Sequence, residues 1–416
     1  MQWFATIACL ILATASFTEF IWRKSDVHPE SHMNVSQIVS FRRYPSEEYE
    51  VLTDDGYYLI LNRIPGGGKK HVVAADPKPA VLLLHGLLGD SKLWLTTTPN
   101  NSFPFILADA GYDVWLGNNR GTTWSNKHQT LSADQEEFWD FSFHEMAMYD
   151  LPAMINFILK KTGQKQLYYI GHSQGTAIGF IAFSAIPELS QKIKMFFALA
   201  PVISVKHSPT PAVKVLYVLP ENALKIVLGN KSFFLLYKPI KEFLIKLCSY
   251  SFMSRLCSYA IFSFGGFNGT NLNVSRTDVY MSCYPDRSSV KNILHWRQTG
   301  ESGLCRQFDY RSENEAKYNQ TSPPSYKIED MVVPTVIWSG GKDLIAGQED
   351  TKILLSHITD LTYYRNLSDW NHWDFILGLN APQTLYYKII ELMERSLDSS
   401  SFASFLKGPQ VTSKLQ

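Results

Sequence analysis

The sequence lacks several features that mark particular classes of protein. Its 39 Lys and Arg residues nearly balance 38 Asp and Glu, and the formal net charge is +1. Without an excess of positive charge there is no electrostatic reason to expect nucleic acid as a partner. No low-complexity stretch interrupts the 416 residues, 45% of which are hydrophobic. This composition favours a folded protein over a disordered one, and the length exceeds that of a single ordinary core.

Cysteine is also scarce, with five residues in all. They form no CxxC pair, and no Cys/His cluster has the spacing of a zinc site, so we expect no metal. Cys248 and Cys257 lie close enough in the sequence to close a short loop in an oxidising compartment. Cys283 and Cys305 either pair with each other or stay free, and Cys9 belongs to the apolar N-terminal segment.

That segment, Met1 to Ala15, is an uncharged apolar run that ends in small residues. It is too short for a membrane-spanning helix, which needs ~20 apolar residues. It resembles the apolar region of a signal peptide followed by a cleavage site. We therefore expect residues 1–15 to be removed on export; a buried first helix or a membrane anchor is the alternative.

Seven Asn-x-Ser/Thr triplets agree with export, because such triplets can carry N-linked glycans on exported proteins. The candidate glycosylation sites are Asn34, Asn100, Asn230, Asn268, Asn273, Asn319 and Asn366. Glycans serve secreted and lysosomal proteins alike. We expect secretion, with lysosomal delivery as the alternative.

Short apolar runs alternate with helical patterns over much of the chain. Runs at 80–84, 112–116, 167–170 and 335–338 predict strands buried on both faces, and residues 146–161 and 176–185 predict helices. A hairpin is predicted over 50–64, around Asp54-Asp55-Gly56. This order predicts a doubly wound α/β domain with a mostly parallel sheet. Between about 201 and 324 the alternation stops, which predicts a mainly helical insertion, and a closing helix is predicted at 382–397.

Residues Leu167 to Gly175 read LYYIGHSQG, a predicted strand leading into Gly171-x-Ser173-x-Gly175. A helical pattern follows, and strand, GxSxG and helix together predict a nucleophile elbow. In such a strained turn bulky neighbours of Ser173 would clash, and the helix N-terminus favours developing negative charge. We expect Ser173 to be a nucleophile; the alternative is a glycine-rich turn that merely tolerates serine.

A serine hydroxyl needs a base, and in this kind of fold an acid and then a histidine follow the serine. His372 follows an apolar run and a short loop, from which an imidazole can reach the elbow. Asp343 comes just after a predicted strand and would hold the His372 tautomer. The competing side chains are assigned to the insertion, to surface helices, to solvated helix ends or to the loop of His372 itself. They are His207, His295 and His357, and Asp350, Asp360, Asp369 and Asp374.

An oxyanion formed at Ser173 needs N–H donors held in place. The residue after the nucleophile, Gln174, is expected to supply one through its backbone. The other is expected from Leu87, in the loop His85-Gly86-Leu87-Leu88-Gly89 after an early strand. An ordinary glycine turn is the alternative, and His85 either orients this loop or is a structural histidine.

Together the motifs resemble one family. HGLLG, ILADAGYDVWLGNNRGT, YPSEEYEV, KKTGQKQLYYIGHSQG, SGGKDLIA and NHWDF are similar to those of the acid lipases, which include gastric and lysosomal enzymes, over roughly residues 33–395. The resemblance implies an α/β-hydrolase fold and a disulfide between Cys248 and Cys257. It also implies the catalytic triad Ser173, Asp343 and His372 and the oxyanion donors Leu87 and Gln174.

The resemblance further implies a helical cap, part of which is a lid that moves at a lipid surface. The expected core is 33–203 with 329–398, the cap 204–328, the lid about 235–265, and the flexible tail 399–416. Several side chains there are more apolar than a water-facing loop should be. They are Phe233, Phe234, Leu235, Leu236, Tyr237, Phe243, Leu244 and Ile245. We expect most to be cap core and a minority to bind a lipid interface.

The sequence thus predicts hydrolysis of neutral-lipid esters, of the triacylglycerol type, through an acyl-enzyme on Ser173 without metal or organic cofactor. Activity confined to a soluble ester would favour a carboxylesterase instead. Bound lipid without turnover would favour a lipid-binding protein that kept the fold, and an exported structural protein is the remote alternative.

Overall fold

The computed structural model of the chain describes residues 26–67, 78–233 and 238–397. The predicted signal peptide 1–15 and the tail 399–416 lie outside these residues, as do Phe234, Leu235, Leu236 and Tyr237.

A mixed β-sheet runs through the centre of the molecule, and its strands match most of the apolar runs. In chain order the strands are β1 (Glu47–Leu52), β2 (Tyr57–Ile64), β3 (Ala80–Leu84), β4 (Asp113–Gly117), β5 (Lys127–His128), β6 (Leu167–His172), β7 (Ile193–Leu199), β8 (Ser232–Phe233), β9 (Ser288–Ser289), β10 (Thr335–Gly340) and β11 (Leu361–Leu367). The sheet order is β1-β2-β4-β3-β6-β7-β10-β11, with β5 beside β2; β8 and β9 form a separate pair.

Strand β2 runs opposite to both of its neighbours in the main path of this sheet. β1 and β2 form the predicted antiparallel hairpin, with Leu52 opposite Tyr58, and β2 is antiparallel to β4. From β4 to β11 all neighbouring strands are parallel. The prediction of a mostly parallel sheet is therefore confirmed, although the sequence reading did not identify β7.

Helices cover both faces of the sheet and fill the insertion. They are α1 (Val35–Phe41), α2 (Phe103–Asp109), α3 (Phe143–Glu145), α4 (Leu151–Thr162), α5 (Gln174–Ala185), α6 (Pro187–Ser190), α7 (Pro211–Val218), α8 (Glu221–Leu228), α9 (Lys238–Cys248), α10 (Ser251–Phe262), α11 (Thr277–Cys283), α12 (Val290–Ser302), α13 (Asn314–Tyr318), α14 (Gln348–His357), α15 (Asp374–Leu377) and α16 (Tyr387–Leu397). Single π-helical turns precede α4 and α16, at Met146–Asp150 and Pro382–Tyr386.

The hydrophobic core lies in two layers, one on each side of the sheet. Alternate residues of β3 show this: Val81 and Leu83 pack in one layer, Leu82 and Leu84 in the other, and all are fully buried. A parallel strand covered on both faces reads as a continuous apolar run, which explains the sequence AVLLL.

The insertion between β7 and β10 is mainly helical, as predicted, and is tied to the N-terminal part of the chain. The buried Glu30 carboxylate accepts hydrogen bonds from Arg42, with Nε at 2.6 Å from Oε1, and from Arg276 at the start of α11. A disulfide joins Cys248 at the end of α9 to Cys257 in α10. Cys283 and Cys305 are both free. Within the described ranges, no helix combines the length and the apolar character needed to cross a membrane.

Candidate active site

Ser173 occupies a tight turn between β6 and α5. Its φ is 54° and its ψ −122°, a left-handed conformation that a non-glycine residue adopts only under constraint from its surroundings. A Cβ on Gly171 would lie 2.6 Å from the carbonyl oxygen of Gly175, and a Cβ on Gly175 would lie 2.6 Å from that of Leu84. Both flanking positions therefore admit only glycine. The turn presents the Ser173 hydroxyl to a cavity above the carboxyl ends of the strands.

His372 and Asp343 form a hydrogen-bonded pair beside that turn. Asp343 follows β10 and His372 follows β11, which are neighbouring parallel strands. His372 Nδ1 lies 2.8 Å from Asp343 Oδ2, and both side chains are buried. The second oxygen, Asp343 Oδ1, accepts from the N–H groups of Ile345 and Ala346, each at 2.8 Å. With Asp343 accepting at Nδ1, the Nε2 of His372 is left to act as a base.

The loop after β3 lies directly over the serine. A Cβ on Gly86 would be 2.8 Å from Ser173 Cβ and 3.2 Å from Ser173 Oγ, so the close approach of this loop to Ser173 requires glycine. Leu87 is next in the chain and is partly buried. His85 braces the loop: its Nδ1 lies 2.8 Å from the Gly86 carbonyl, and Nε2 accepts from the Asn119 N–H at 3.3 Å. Burial lowers the pKa of His85 to about 4, so the ring is neutral.

Gln174 is the first residue of α5. Its backbone N–H therefore has no partner within the helix and is available to a ligand at the helix N-terminus. Gln174 and Leu87 both line the cavity beside Ser173.

This cavity measures about 320 Å³ and is almost wholly apolar. Its polar side chains are those of His172, Ser173, Gln174, Arg297 and His372. The apolar lining comes from the sheet loops and from the insertion. It comprises Leu87, Leu88, Leu93, Val202, Val205, Val213, Leu216, Phe233, Phe264, Tyr284, Ile293, Trp296, Ile345 and Trp373. Among the described residues, no group of three or more His, Cys, Asp or Glu side chains is arranged to hold a metal ion.

Comparisons with known proteins agree with this geometry. A family model described as the alpha/beta hydrolase fold matches residues 79–379, and one described as a partial alpha/beta-hydrolase lipase region matches 35–98. The chain is 51% identical to the lysosomal acid lipase/cholesteryl ester hydrolase of Homo sapiens over 95% of its own length and 99% of that protein. This chain belongs to the acid lipase family.

Other relatives extend the comparison. Lipase member M of Mus musculus is 52% identical over 88% of this chain and 87% of its own length. A crystal structure of a putative lipase from Sulfolobus solfataricus, 15% identical, matches with a TM-score of 0.56 over 85% of this chain and 95% of that one, which shows the fold alone. As an acid lipase, the protein is a serine carboxylic ester hydrolase that acts on lipid.

The competing histidines of this acid lipase lie elsewhere. His207 pairs with Asp350 at 3.0 Å, and His357 is half-exposed and faces Glu329. His295 is buried between Ser142 Oγ and the Arg306 carbonyl, and burial lowers its pKa to about 3.

The competing acids are also engaged in other contacts. The prediction that Asp350 is a solvated helix cap is wrong: it is buried and accepts from His207 N–H at 2.9 Å. Asp369 is exposed and pairs with Lys342. Asp374 accepts from Asn371 N–H at 2.7 Å and braces the loop that carries His372.

Sequence reasoning missed a contact made by His172, the residue before the nucleophile. Its Nε2 lies 2.9 Å from the carbonyl oxygen of His372. A neutral His172 ring with its proton on Nε2 therefore donates a hydrogen bond to the backbone of His372. Burial, with a contribution from His372, holds the pKa of His172 well below its usual value. Its position inside the GxSxG motif was the available signal.

Sequence reasoning also missed a pair of acids beside the glycine loop that follows β3. Asp286, from the insertion, donates its N–H to the Leu88 carbonyl at 2.7 Å, and its carboxylate accepts from Thr123 N–H at 2.8 Å. Asp90 accepts from Trp124 Nε1 at 2.8 Å. Burial, together with the Asp286 carboxylate, raises the pKa of Asp90 to about 7.

The most exposed apolar side chains of the insertion lie before the predicted lid. Ile226 is 85% exposed, Val227 80% and Val218 74%, all on α7 or α8. Within 235–265, Phe243 is exposed whereas Ile245 is buried.

Proposed function

We propose that this acid lipase hydrolyses neutral-lipid esters through an acyl-enzyme on Ser173, with His372 as base and Asp343 as its orienting acid. The observation that carries the proposal is the 2.8 Å contact between His372 Nδ1 and Asp343 Oδ2 at the wall of the cavity that Ser173 lines. No other histidine of the described residues combines a buried carboxylate partner with a place in that cavity.

In the first half-reaction His372 Nε2 takes the Ser173 proton while Oγ attacks the ester carbonyl. The N–H groups of Leu87 and Gln174 stabilise the oxyanion that forms, and Asp343 stabilises the imidazolium. His372 then returns the proton to the departing alcohol. In the second half-reaction water repeats these steps on the acyl-enzyme and frees the fatty acid. The scheme uses no metal or organic cofactor.

The apolar lining supports a long acyl chain as the group held in the cavity. Buried apolar surface contributes about 25 cal/mol per Å², whereas a charged or sugar-like substrate would have to lose its hydration against these walls. Residues of the insertion line one side of the cavity, among them Leu216, Phe233 and Trp296. The insertion is therefore proposed as the cap (204–328), with the part near 235–265 as its lid.

Contact with a lipid surface is proposed to involve the exposed apolar side chains of α7 and α8. Three of them are at least 74% exposed, more than a water-facing helix needs. Basic side chains on the same helices, Lys214 and Lys225, can keep their charged ends in the headgroup region while their stems contact acyl chains.

Export is proposed as the route to the site of action, with secretion as the destination. The asparagine of each of the seven triplets is exposed or partly exposed in the described residues, so a glycan can be attached without unfolding. The name of the human relative makes lysosomal delivery the alternative. The amount of protein in the culture medium and in a lysosomal fraction distinguishes the two destinations, and endoglycosidase treatment of each sample tests for glycans.

The deciding experiment compares the full chain, Ser173→Ala and the matched control Ser190→Ala, a buried serine whose hydroxyl only bonds the Pro187 carbonyl. Each is assayed on emulsified long-chain triacylglycerol and on a soluble short-chain ester between about pH 4 and pH 8. Emulsion activity that disappears only in Ser173→Ala supports the proposal. Activity on the short ester alone indicates a carboxylesterase, and folded protein without turnover indicates a lipid-binding protein.

A further inference from the structure

The side chain of Gln174 makes a contact that its proposed role as a backbone donor does not require. Its Oε1 accepts from Trp296 Nε1 at 2.7 Å and from Asn292 Nδ2 at 2.9 Å. Both donors lie on α12, in the insertion, and all three side chains are buried. A residue of the elbow is therefore fixed by two hydrogen bonds from a segment more than a hundred residues later in the chain.

The surrounding contacts determine the orientation of both amides. The Oδ1 of Asn292 accepts from the Phe143 N–H at 2.9 Å, so its Nδ2 must be the atom that faces Gln174. Asn292 Nδ2 also donates to Ser288 Oγ at 2.9 Å, which occupies its second proton. Trp296 can only donate through Nε1. Oε1 of Gln174 thus accepts two hydrogen bonds and has one possible placement.

We propose that Asn292 and Trp296 are positioning residues that hold the Gln174 N–H in line with the oxyanion. The inference rests on the proposed function, in which that N–H is one of two oxyanion donors. Gln174 follows Ser173, whose left-handed backbone is under constraint, so the direction of the N–H depends on what fixes the next residue. Two side-chain hydrogen bonds anchor Gln174 from the cap, and the cap thereby takes part in assembling the catalytic geometry.

The consequence is specific to the transition state. Losing an oxyanion donor costs ~10²–10³-fold in rate, and a misplacement of ~1 Å can cost ~10²-fold. Removing one of the two anchors should therefore lower kcat about 10-fold or more and leave KM nearly unchanged, because the ground-state carbonyl depends less on the donor.

Trp296→Phe is the main test, because phenylalanine keeps an aromatic wall in the cavity and removes the Nε1–H. The matched control is Trp139→Phe: Trp139 is equally buried, but its Nε1 donates at 2.8 Å to the Ala133 carbonyl, away from the cavity. kcat and KM are measured on a soluble short-chain ester, with the affinity for an alkylboronic acid as a tetrahedral mimic. We expect kcat and the boronate affinity to fall together in Trp296→Phe and to stay unchanged in Trp139→Phe.

A double-variant cycle tests whether Trp296 acts through Gln174. Gln174→Met keeps the backbone N–H and removes the acceptor of both anchors, so it should lower kcat at least as much as Trp296→Phe does. This variant tests the role of the anchors even if Trp296→Phe does not fold. If the link exists, the double variant is no slower than Gln174→Met alone. Additive losses, a change in KM alone, or an equal loss in the control would overturn the inference. A wild type without Ser173-dependent turnover would instead refute the proposed function.

Discussion

Replacing Asp343 by asparagine tests the proposed triad more sharply than removing the side chain. Two backbone N–H groups, of Ile345 and Ala346, both point at Oδ1, so that position must remain an oxygen. The amide nitrogen of the new side chain would then face His372 Nδ1, where the native carboxylate accepts. Turning the amide around would place its N–H₂ against the two backbone donors and leave both unpaired, at about 1–3 kcal/mol each.

A change of the His372 tautomer costs less free energy than turning the amide, because it leaves no backbone N–H group unpaired. With Nδ1 accepting from the new amide, the proton moves to Nε2, and Nε2 is no longer the base that Ser173 needs. In a Ser-His-Asp site this exchange lowers kcat ~10⁴-fold, which corresponds to about 5.5 kcal/mol in the activation free energy. The fold should change little, because shape and the Oδ1 contacts are kept.

The assay is kcat on a soluble short-chain ester, with thermal unfolding as the test of folding. Asp350→Asn is the matched control: Asp350 is also buried and also contacts a histidine at 3.0 Å, but it lies outside the cavity. We expect the control to keep its activity. A folded Asp343→Asn variant that retains more than about a tenth of the wild-type kcat would refute the assignment of Asp343.

Three further predictions follow from contacts described above. Gly86→Ala puts a Cβ 2.8 Å from Ser173 Cβ, so activity on the soluble ester should fall at least ~10²-fold. The melting temperature should still show a folded protein. Unchanged activity would contradict the proposed role of the 85–89 loop as the oxyanion loop. The raised pKa of Asp90, about 7, means that the folded protein holds a proton more tightly than the unfolded chain, so this group's contribution to stability falls as pH rises from about 4 towards 7. Asp90→Asn should therefore gain melting temperature relative to the wild type between about pH 5 and pH 7, and a difference that does not change with pH would count against the buried acid. Ile226→Glu should lower activity on the emulsion but not on the soluble ester. The control is Val332→Glu, at a valine outside the insertion that is 68% exposed, and it should change neither activity. If Ile226→Glu lowers both activities equally, α8 does not contact the lipid.

The sheet was predictable where strands are continuous apolar runs. β3 has the predicted bounds, and β4, β6 and β10 begin within a residue of theirs. Each is buried on both faces, so its local composition records its surroundings. β7 (IKMFFAL) carries Lys194 at its second position, and a short apolar run of this kind does not by itself separate a strand from a helix.

The candidate site was predictable to the extent that it depends on local turns. The turn at Ser173 and the 85–89 loop could be predicted from the sequence because their backbones admit few residue types at particular positions. The hydrogen bonds from Asn292 and Trp296 to Gln174 could not be predicted, because these two residues belong to a helix more than a hundred residues later in the chain. Nothing in the sequence of that helix indicates what its polar atoms contact. Asp350 was misread for a similar reason: its position at a helix start predicted solvent, but His207 packs over it from the insertion.

The position of the insertion has a consequence for how the protein is made. β7 is completed at Leu199, but its sheet neighbour β10 begins only at Thr335, after the whole insertion. At a synthesis rate of about 5–20 residues per second, the growing chain presents an unpaired strand edge for on the order of 10 s. Such an edge is a template for pairing with another chain and so for aggregation. A chain that stops within the insertion never receives β10, so premature termination there should yield aggregated or degraded protein, not a partly active enzyme.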